Sequence, residues 1–424
     1  MKNILIIISI FSITITNIYS SIKMLPSTGK PSSYKVKVTS SDGHRSVLLG
    51  QGKQINKEII AKIKYASKGD RIRIDYFILD YLGATKYFYN ALKDAMRRGA
   101  RVEIITEKFN TTPSPYVPEY TYRNSTEFIY GSKDSLYENG GYKEYVRGLS
   151  HEKKRHKNAF KLYRVDSGGD SLNRRALNHR KVALFDIKGK RTIIISSANV
   201  TDYGEREWQV AVMLDGNHYD SHWWWWNDVL DADICFAKGN RNCRIGDGGY
   251  EVNYQGWITS YIMDRTKYHT MVGWLEGMTY SKGCTLRMIM GEFDDSRVLD
   301  EMGRIARDGC KVDLIYNNPG NYLDPQEYAK NNFSDVYSTG KFEVERQTTT
   351  RKSNGSIIKN AVHQKMILWQ GGWHHGSVVQ YAWVGTYNAT RYATETHDEA
   401  MIRIQDEKLF KSLWNYFQWI EYYD

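Results

Sequence analysis

An octapeptide that occurs twice constrains this chain more than any other feature. His179-Arg180-Lys181-Val182-Ala183-Leu184-Phe185-Asp186 is followed by an apolar run that ends in Ser196-Ser197-Ala198-Asn199. Near the C-terminus, His363-Gln364-Lys365-Met366-Ile367-Leu368-Trp369-Gln370 is followed by another, ending in Gly385-Thr386-Tyr387-Asn388. The apolar residues predict strands. The strand repeat of two then places His179 and Lys181 on one face, with Arg180 and Val182 on the other. His363 and Lys365 have the same spacing, so a fold that joins the copies gathers two imidazoles and two cations around one anion.

The tripeptide alone carries no such weight. His151-Glu152-Lys153 is a third His-x-Lys, and it lies in a charged stretch with no apolar strand after it. The other two copies differ in context: a hydrophobic strand, a second strand, a small residue shortly before an Asn, and a Glu that opens a further strand. That Glu is Glu207 in Glu207-Trp208-Gln209-Val210-Ala211-Val212 and Glu399 in Glu399-Ala400-Met401-Ile402-Arg403-Ile404.

The surroundings of the motifs are duplicated as well. Residues 56–66 predict a helix, 69–77 a strand, 87–98 a helix and 99–105 a second strand, which is a βαβ unit with parallel strands. The pattern returns as a strand over 282–290, a helix over 296–308 and a strand over 309–315. The expected fold class is therefore α/β, with two pseudo-symmetric α-β-α lobes, each around a mixed, largely parallel sheet. We place the first lobe at 21–234, with an insertion at about 110–178, a linker at 235–256, and the second lobe at 257–424. The insertion is rich in Tyr and carries the basic run Lys153-Lys154-Arg155-His156-Lys157. It reads equally as a substrate-gripping lid or as a solvated loop. Four consecutive tryptophans, Trp223 to Trp226, sit in a predicted helix and sweep most of the way round it. Some must pack inward, and the rest meet the other half or a membrane interface.

Residues 1–20 combine Lys2, an apolar run from Ile4 to Ile15 and the small residue Ser20, as a secretory signal peptide does. The run is short for a bilayer span; an uncleaved anchor or a buried first element are the alternatives. The four cysteines fit export; of the three connectivities they permit, Cys235 with Cys243 and Cys284 with Cys310 is the expected one. Without export, four buried thiols is the alternative. The formal charge of +11 favours an anionic partner, either nucleic acid or an acidic phospholipid surface.

The two half-sites resemble the HKD motifs of the phospholipase D superfamily. His179, Lys181, Asp186, Ser197 and Asn199 match the pattern in the first half, with Glu207 downstream. In the second half His363, Lys365, Gly385, Asn388 and Glu399 match. Ser196 stands where the family usually has Gly, and Gln370 stands where it has Asp; Gln accepts a hydrogen bond but cannot offset a positive charge. The resemblance implies a phosphodiesterase that needs no metal or other cofactor. Lys181, Lys365, Asn199 and Asn388 neutralise the phosphate, one imidazole attacks phosphorus, and the other protonates the leaving oxygen. Glu207 and Glu399 hold the far nitrogen of each ring. With the first motif intact, His179 is expected as nucleophile and His363 as acid.

The expected substrate is a glycerophospholipid, cleaved to phosphatidate and a free headgroup, with nucleic acid, cleaved by a metal-independent nuclease of the same superfamily, as the alternative. Abundant Trp and Tyr favour the former and the basic charge the latter. A binding protein without catalysis is the third reading, with Gln370 as its argument. Each half finds its partner in the same chain, so a secreted monomer with no obligate protein partner is expected.

Overall fold

Alternating and β-branched residues produce the strands, and helices with one apolar stripe cover them. The computed structural model describes residues 35–77, 79, 86–107, 151–155, 159–165, 177–201, 204–240, 243, 250–254, 257–264, 269–320, 322–348, 350–351, 357–359 and 361–422. The signal peptide expected over 1–20 lies outside them.

The first sheet is built from β1 (Lys35–Thr39), β2 (Arg45–Gln51), β3 (Arg71–Tyr76), β4 (Arg101–Glu107), β5 (Phe160–Val165), β7 (Lys181–Ile187), β8 (Lys190–Ser196) and β9 (Trp208–Asp215), while the short β6 (Leu177–Asn178) joins the other sheet. Its order is β1-β2-β9-β8-β7-β3-β4-β5. The second sheet uses β10 (Tyr250–Tyr254), β11 (Ile258–Asp264), β13 (Thr285–Glu292), β14 (Lys311–Asn318), β15 (Phe342–Arg346), β18 (Lys365–Trp373), β19 (Val378–Gly385) and β20 (His397–Ile404). Its order, β10-β11-β20-β19-β18-β13-β14-β15, repeats the first strand for strand. The short β12 (Met278–Thr279) pairs with β18, and β16 (Thr350–Arg351) pairs with β17 (Ile357–Lys359).

Both sheets are mixed, but the expectation of largely parallel sheets needs correction. Along each order only β3-β4-β5 and β13-β14-β15 run parallel, and the other neighbours are antiparallel; off the order, the short β6 pairs in parallel with β20. The motif strands belong to hairpins. β7 and β8 are joined by Lys188 and Gly189, both at positive φ (53° and 72°), as a two-residue turn that follows the strand twist requires.

Two further boundaries shift. β5 lies inside the segment expected as an insertion, and β10 lies inside the expected linker, where Tyr250, Val252 and Tyr254 alternate with polar residues. The third His-x-Lys falls in a helical turn, where buried Glu152 meets Lys93 at 3.3 Å. The rest of the basic, Tyr-rich insertion is mostly outside the described residues.

The core falls into three parts. The helices Gly52–Tyr65 and Lys86–Arg97 pack on the outer face of the first sheet, and Thr270–Glu276, Ser296–Arg307 and Pro325–Asn332 on that of the second. Between the sheets lie the helices Asp220–Ala237 and Glu407–Tyr422, in a cluster shared by both halves. Trp223 and Trp226 are buried there, whereas Trp224 is exposed. Among the described residues no helix is long and apolar enough to cross a membrane.

The cysteines pair as expected, Cys235 with Cys243 and Cys284 with Cys310, at Cα separations of 5.8 and 4.9 Å. The second bridge ties the starts of the parallel strands β13 and β14, 26 residues apart. Closing a loop of that length restricts the unfolded chain by about 3 kcal/mol. The double variant Cys284→Ser/Cys310→Ser is expected to lose about that much stability in urea unfolding; an unchanged midpoint would contradict it.

Candidate active site

Each motif histidine is held in place by the other half. The His179 N–H donates to the Asp398 carbonyl (2.9 Å), and the His363 N–H donates to the Trp208 carbonyl (3.0 Å). In front of each histidine a short extended segment pairs in parallel with the opposite sheet: Leu177–Asn178 with β20, and Val362 with Trp208 of β9. The two contacts are equivalent under the duplication, because Ser196 faces Ala211 as Gly385 faces Met401.

That register changes the pairing of the acids. Counting back two from Ala211 and from Met401, the counterpart of Glu399 is Gln209, and the counterpart of Glu207 is His397. The equivalence expected of Glu207 and Glu399 therefore does not hold: the amide of Gln209, two residues past Glu207, stands where Glu399 stands in the other half.

The side chains cross the interface as the backbone does. His179 Nδ1 lies 2.8 and 2.9 Å from the two oxygens of Glu399, whose Oε2 also accepts from the Thr386 hydroxyl at 2.5 Å. His363 Nδ1 instead meets Gln209, with Nε2 at 3.1 Å and Oε1 at 3.3 Å. Ser197, the counterpart of Thr386, donates to Gln209 Oε1 (2.7 Å), and Gln209 Nε2 donates to Glu207 (3.1 Å). Glu207 itself stands 3.7 Å from His363 Nδ1.

Lys181 and Lys365 each anchor on the carbonyl of the histidine two residues before, at 2.6 and 2.7 Å. Lys365 also leans over the His363 ring, 3.1 Å from Nε2. Gly291 permits this: a Cβ there would sit 3.0 Å from Lys365 Nζ and 3.2 Å from the ring. The first half has Phe77 in that place, edge-on to His179 with ring centroids 5.0 Å apart and under Lys181. Asn388 accepts from the Glu292 N–H at 3.0 Å, and Asn199 is buried with its Oδ1 unpaired among the described residues.

The remaining motif positions lie elsewhere. Asp186 stands near the far end of β7 and Gln370 partway along β18, each about 17 Å along the strand from its lysine. Asp186 faces Arg191 across its hairpin (3.8 Å), where Gln370 accepts from Gln380 (3.1 Å). An ion pair in one half is a neutral amide pair in the other, so Gln370 leaves no charge uncompensated. Ser196 accepts from the Ala198 N–H, whereas a Cβ at its counterpart Gly385 would lie 2.1 Å from the Ala400 carbonyl.

Burial shapes the charges. It pushes His179 down to about 3, against the attraction of Glu399, so the ring is neutral near pH 7. His363 is held well below the usual range by burial, then by Lys365, Lys181 and His179. An anion bound between the rings reverses that repulsion and favours a protonated His363. Burial would raise Glu399, but its interactions with the His179 ring and then with His397 hold it low. Burial raises Glu207 to about 8, with Lys365 opposing. It lowers Lys181 well below the ordinary range and Lys365 to about 8.

A family model described as "Cardiolipin synthase, PLD-like domain" matches residues 59–223 and 280–421. Among solved structures, the chain is similar to phosphatidylserine synthase of Haemophilus influenzae Rd KW20, with TM-score 0.58 and 12% identity over 92% of this chain and 88% of that one. It is also similar to polyphosphate kinase of Porphyromonas gingivalis, with TM-score 0.52 and 13% identity over 89% of this chain and 47% of that one. At such identities the likeness is one of fold. No curated protein matches by sequence.

Lys365 gives a testable pH dependence. A lysine lowered to about 8 loses its charge as pH rises through that value, and phosphate then loses a cation. Followed by nitrogen-15 NMR of the lysine side chains in the resting protein, the Lys365 ammonium is expected to titrate near pH 8. A midpoint near the ordinary lysine value of about 10.4 would contradict this.

Proposed function

Because the chain belongs to the phospholipase D superfamily, whose members cleave or transfer phosphodiesters, we propose that His179 attacks phosphorus and that a covalent phosphohistidine follows. The observation that carries this order is the unlike pairing of the rings. A carboxylate only accepts, so Glu399 holds the proton of His179 on Nδ1 and leaves the Nε2 lone pair free to attack. The same carboxylate offsets the charge that the phosphorylated ring carries throughout the intermediate. Gln209 can accept from Nδ1 or donate to it, so it sets no tautomer on His363. That suits a ring whose work is to take and return a proton at Nε2. Lys181 and Lys365 neutralise the non-bridging oxygens, with Asn199 and Asn388 as amide donors. His363 then protonates the leaving oxygen, and water repeats the step in reverse through the same ring.

For substrate we favour a glycerophospholipid, hydrolysed to phosphatidate and its headgroup by a secreted enzyme. Both the matched family model and the Haemophilus neighbour bear names of phospholipid enzymes. Beside the site, three residues after Asn388, Arg391 lies 5.7 Å from the ring of Tyr322, which tilts against Tyr392 at 5.3 Å. Tyr322 is half exposed, and an aromatic pair with a cation fits a lipid headgroup region. The disulfides support export. A metal-independent nuclease is the second reading, favoured by the charge of +11.

Two measurements test these assignments. Purified protein in chelator is expected to release choline from phosphatidylcholine vesicles; cleavage of single- or double-stranded DNA instead would favour the second reading. With a labelled phosphodiester, His363→Ala is expected to turn over about 10²–10⁴-fold more slowly and to retain label, while His179→Ala retains none. The reverse pattern would overturn the order.

A further inference from the structure

We propose that His179, His397 and Glu399 form an inhibitory site for Zn²⁺, which switches off the nucleophile by binding the nitrogen opposite the attacking one. The proposal rests on His179 as nucleophile.

One ligand atom from each of the three residues lies within 4.8 Å of the other two, and all three side chains are largely withdrawn from solvent. His397 Nδ1 is itself buried and stands 3.5 Å from Glu399 Oε1, longer than a good hydrogen bond, with no closer partner among the described residues. The ring lies 5.5 Å from that of His179, tilted by 46°. Thr386 holds the other carboxylate oxygen, leaving Oε1 turned toward both imidazoles. Two imidazoles and a carboxylate are a borderline-soft donor set suited to Zn²⁺, and Thr386 supplies the outer hydrogen bond that orients such ligands. Bonds of about 2.0–2.2 Å in tetrahedral geometry would place the donors about 3.3 Å apart. The 3.5 Å from His397 Nδ1 to Glu399 Oε1 is close to this, and the 2.8 Å from His179 Nδ1 to Glu399 Oε1 would lengthen.

The duplication sharpens the case. The counterpart of His397 is Glu207 and that of Glu399 is Gln209, and a neutral amide is a poor zinc ligand. Hence the donor set exists beside His179 and not beside His363.

The inhibitory effect follows from the tautomer. Free His179 carries its proton on Nδ1, against Glu399, with the lone pair on Nε2. A metal at Nδ1 needs that lone pair, so the proton moves to Nε2 and the atom that attacks phosphorus becomes an N–H. No bond to substrate forms or breaks, and removing the ion restores the first tautomer.

The test uses the full chain freed of metal by chelation. Titration calorimetry with Zn²⁺ is expected to give one site per chain. Co²⁺ in its place is expected to give the visible absorption of a four-coordinate ion. His397→Gln and His397→Asn should each weaken binding by about 100-fold while circular dichroism stays unchanged. Against a phosphodiester, Zn²⁺ should inhibit the unaltered protein and chelator should restore it, with both His397 variants active and resistant. Failure of the unaltered protein to bind, equal binding by both variants, or binding without inhibition of an active enzyme would each overturn the proposal. The calorimetric arm needs no turnover: zinc binding that depends on His397 in a protein inert toward phosphodiesters would count against the functional reading and leave the metal site standing.

Discussion

The hydrogen bond from His179 to Glu399 joins residues 220 positions apart and belonging to different sheets. Its partner across the duplication, His363 with Gln209, does the same in the opposite direction. Around these pairs the backbone also crosses, with each histidine N–H bound to a carbonyl of the opposite lobe. Neither lobe alone can orient its own ring. The shared core between the sheets, with Trp223, Trp226, Phe410 and Phe417, therefore serves the chemistry directly, since any shift between lobes moves both imidazoles against their partners.

Within this symmetric frame the two half-sites differ where it matters for proton control. One ring faces a carboxylate and the other an amide. One is backed by Phe77, and the other sits beside Gly291, where a lysine folds over it. Burial and the two lysines hold the imidazoles uncharged, and Glu207, Glu292 and Glu399 oppose burial in keeping Lys365 charged. The lysines favour a bound anion, and the anion's charge favours protonation of His363. Substrate binding and arming of the acid are coupled through one electrostatic field.

Much of the frame was legible in the sequence. The βαβ repeats, the helix from the tryptophan run and both cysteine pairings follow from periodicity and spacing. The histidines and lysines were legible because two copies in the same context exclude chance, which the third copy at His151 lacks. What escaped was pairing. Strand period gives faces but not neighbours, so the antiparallel majority in each sheet was missed, as were β5 and β10. Gln209 escaped for a related reason: its importance lies in the register between β8 and β9, which no single segment encodes. Gln370 drew attention through chemistry alone, and its position partway along β18, beside Gln380, removes the concern.

The crossed pairing is the claim from which the rest follows. It is tested most directly by nitrogen-15 NMR of the imidazoles in the resting protein. A downfield Nδ1–H resonance of His179 is expected, lost in Glu399→Ala and kept in Glu207→Ala. Its persistence in Glu399→Ala, or its loss in Glu207→Ala alone, would contradict the pairing across the lobes.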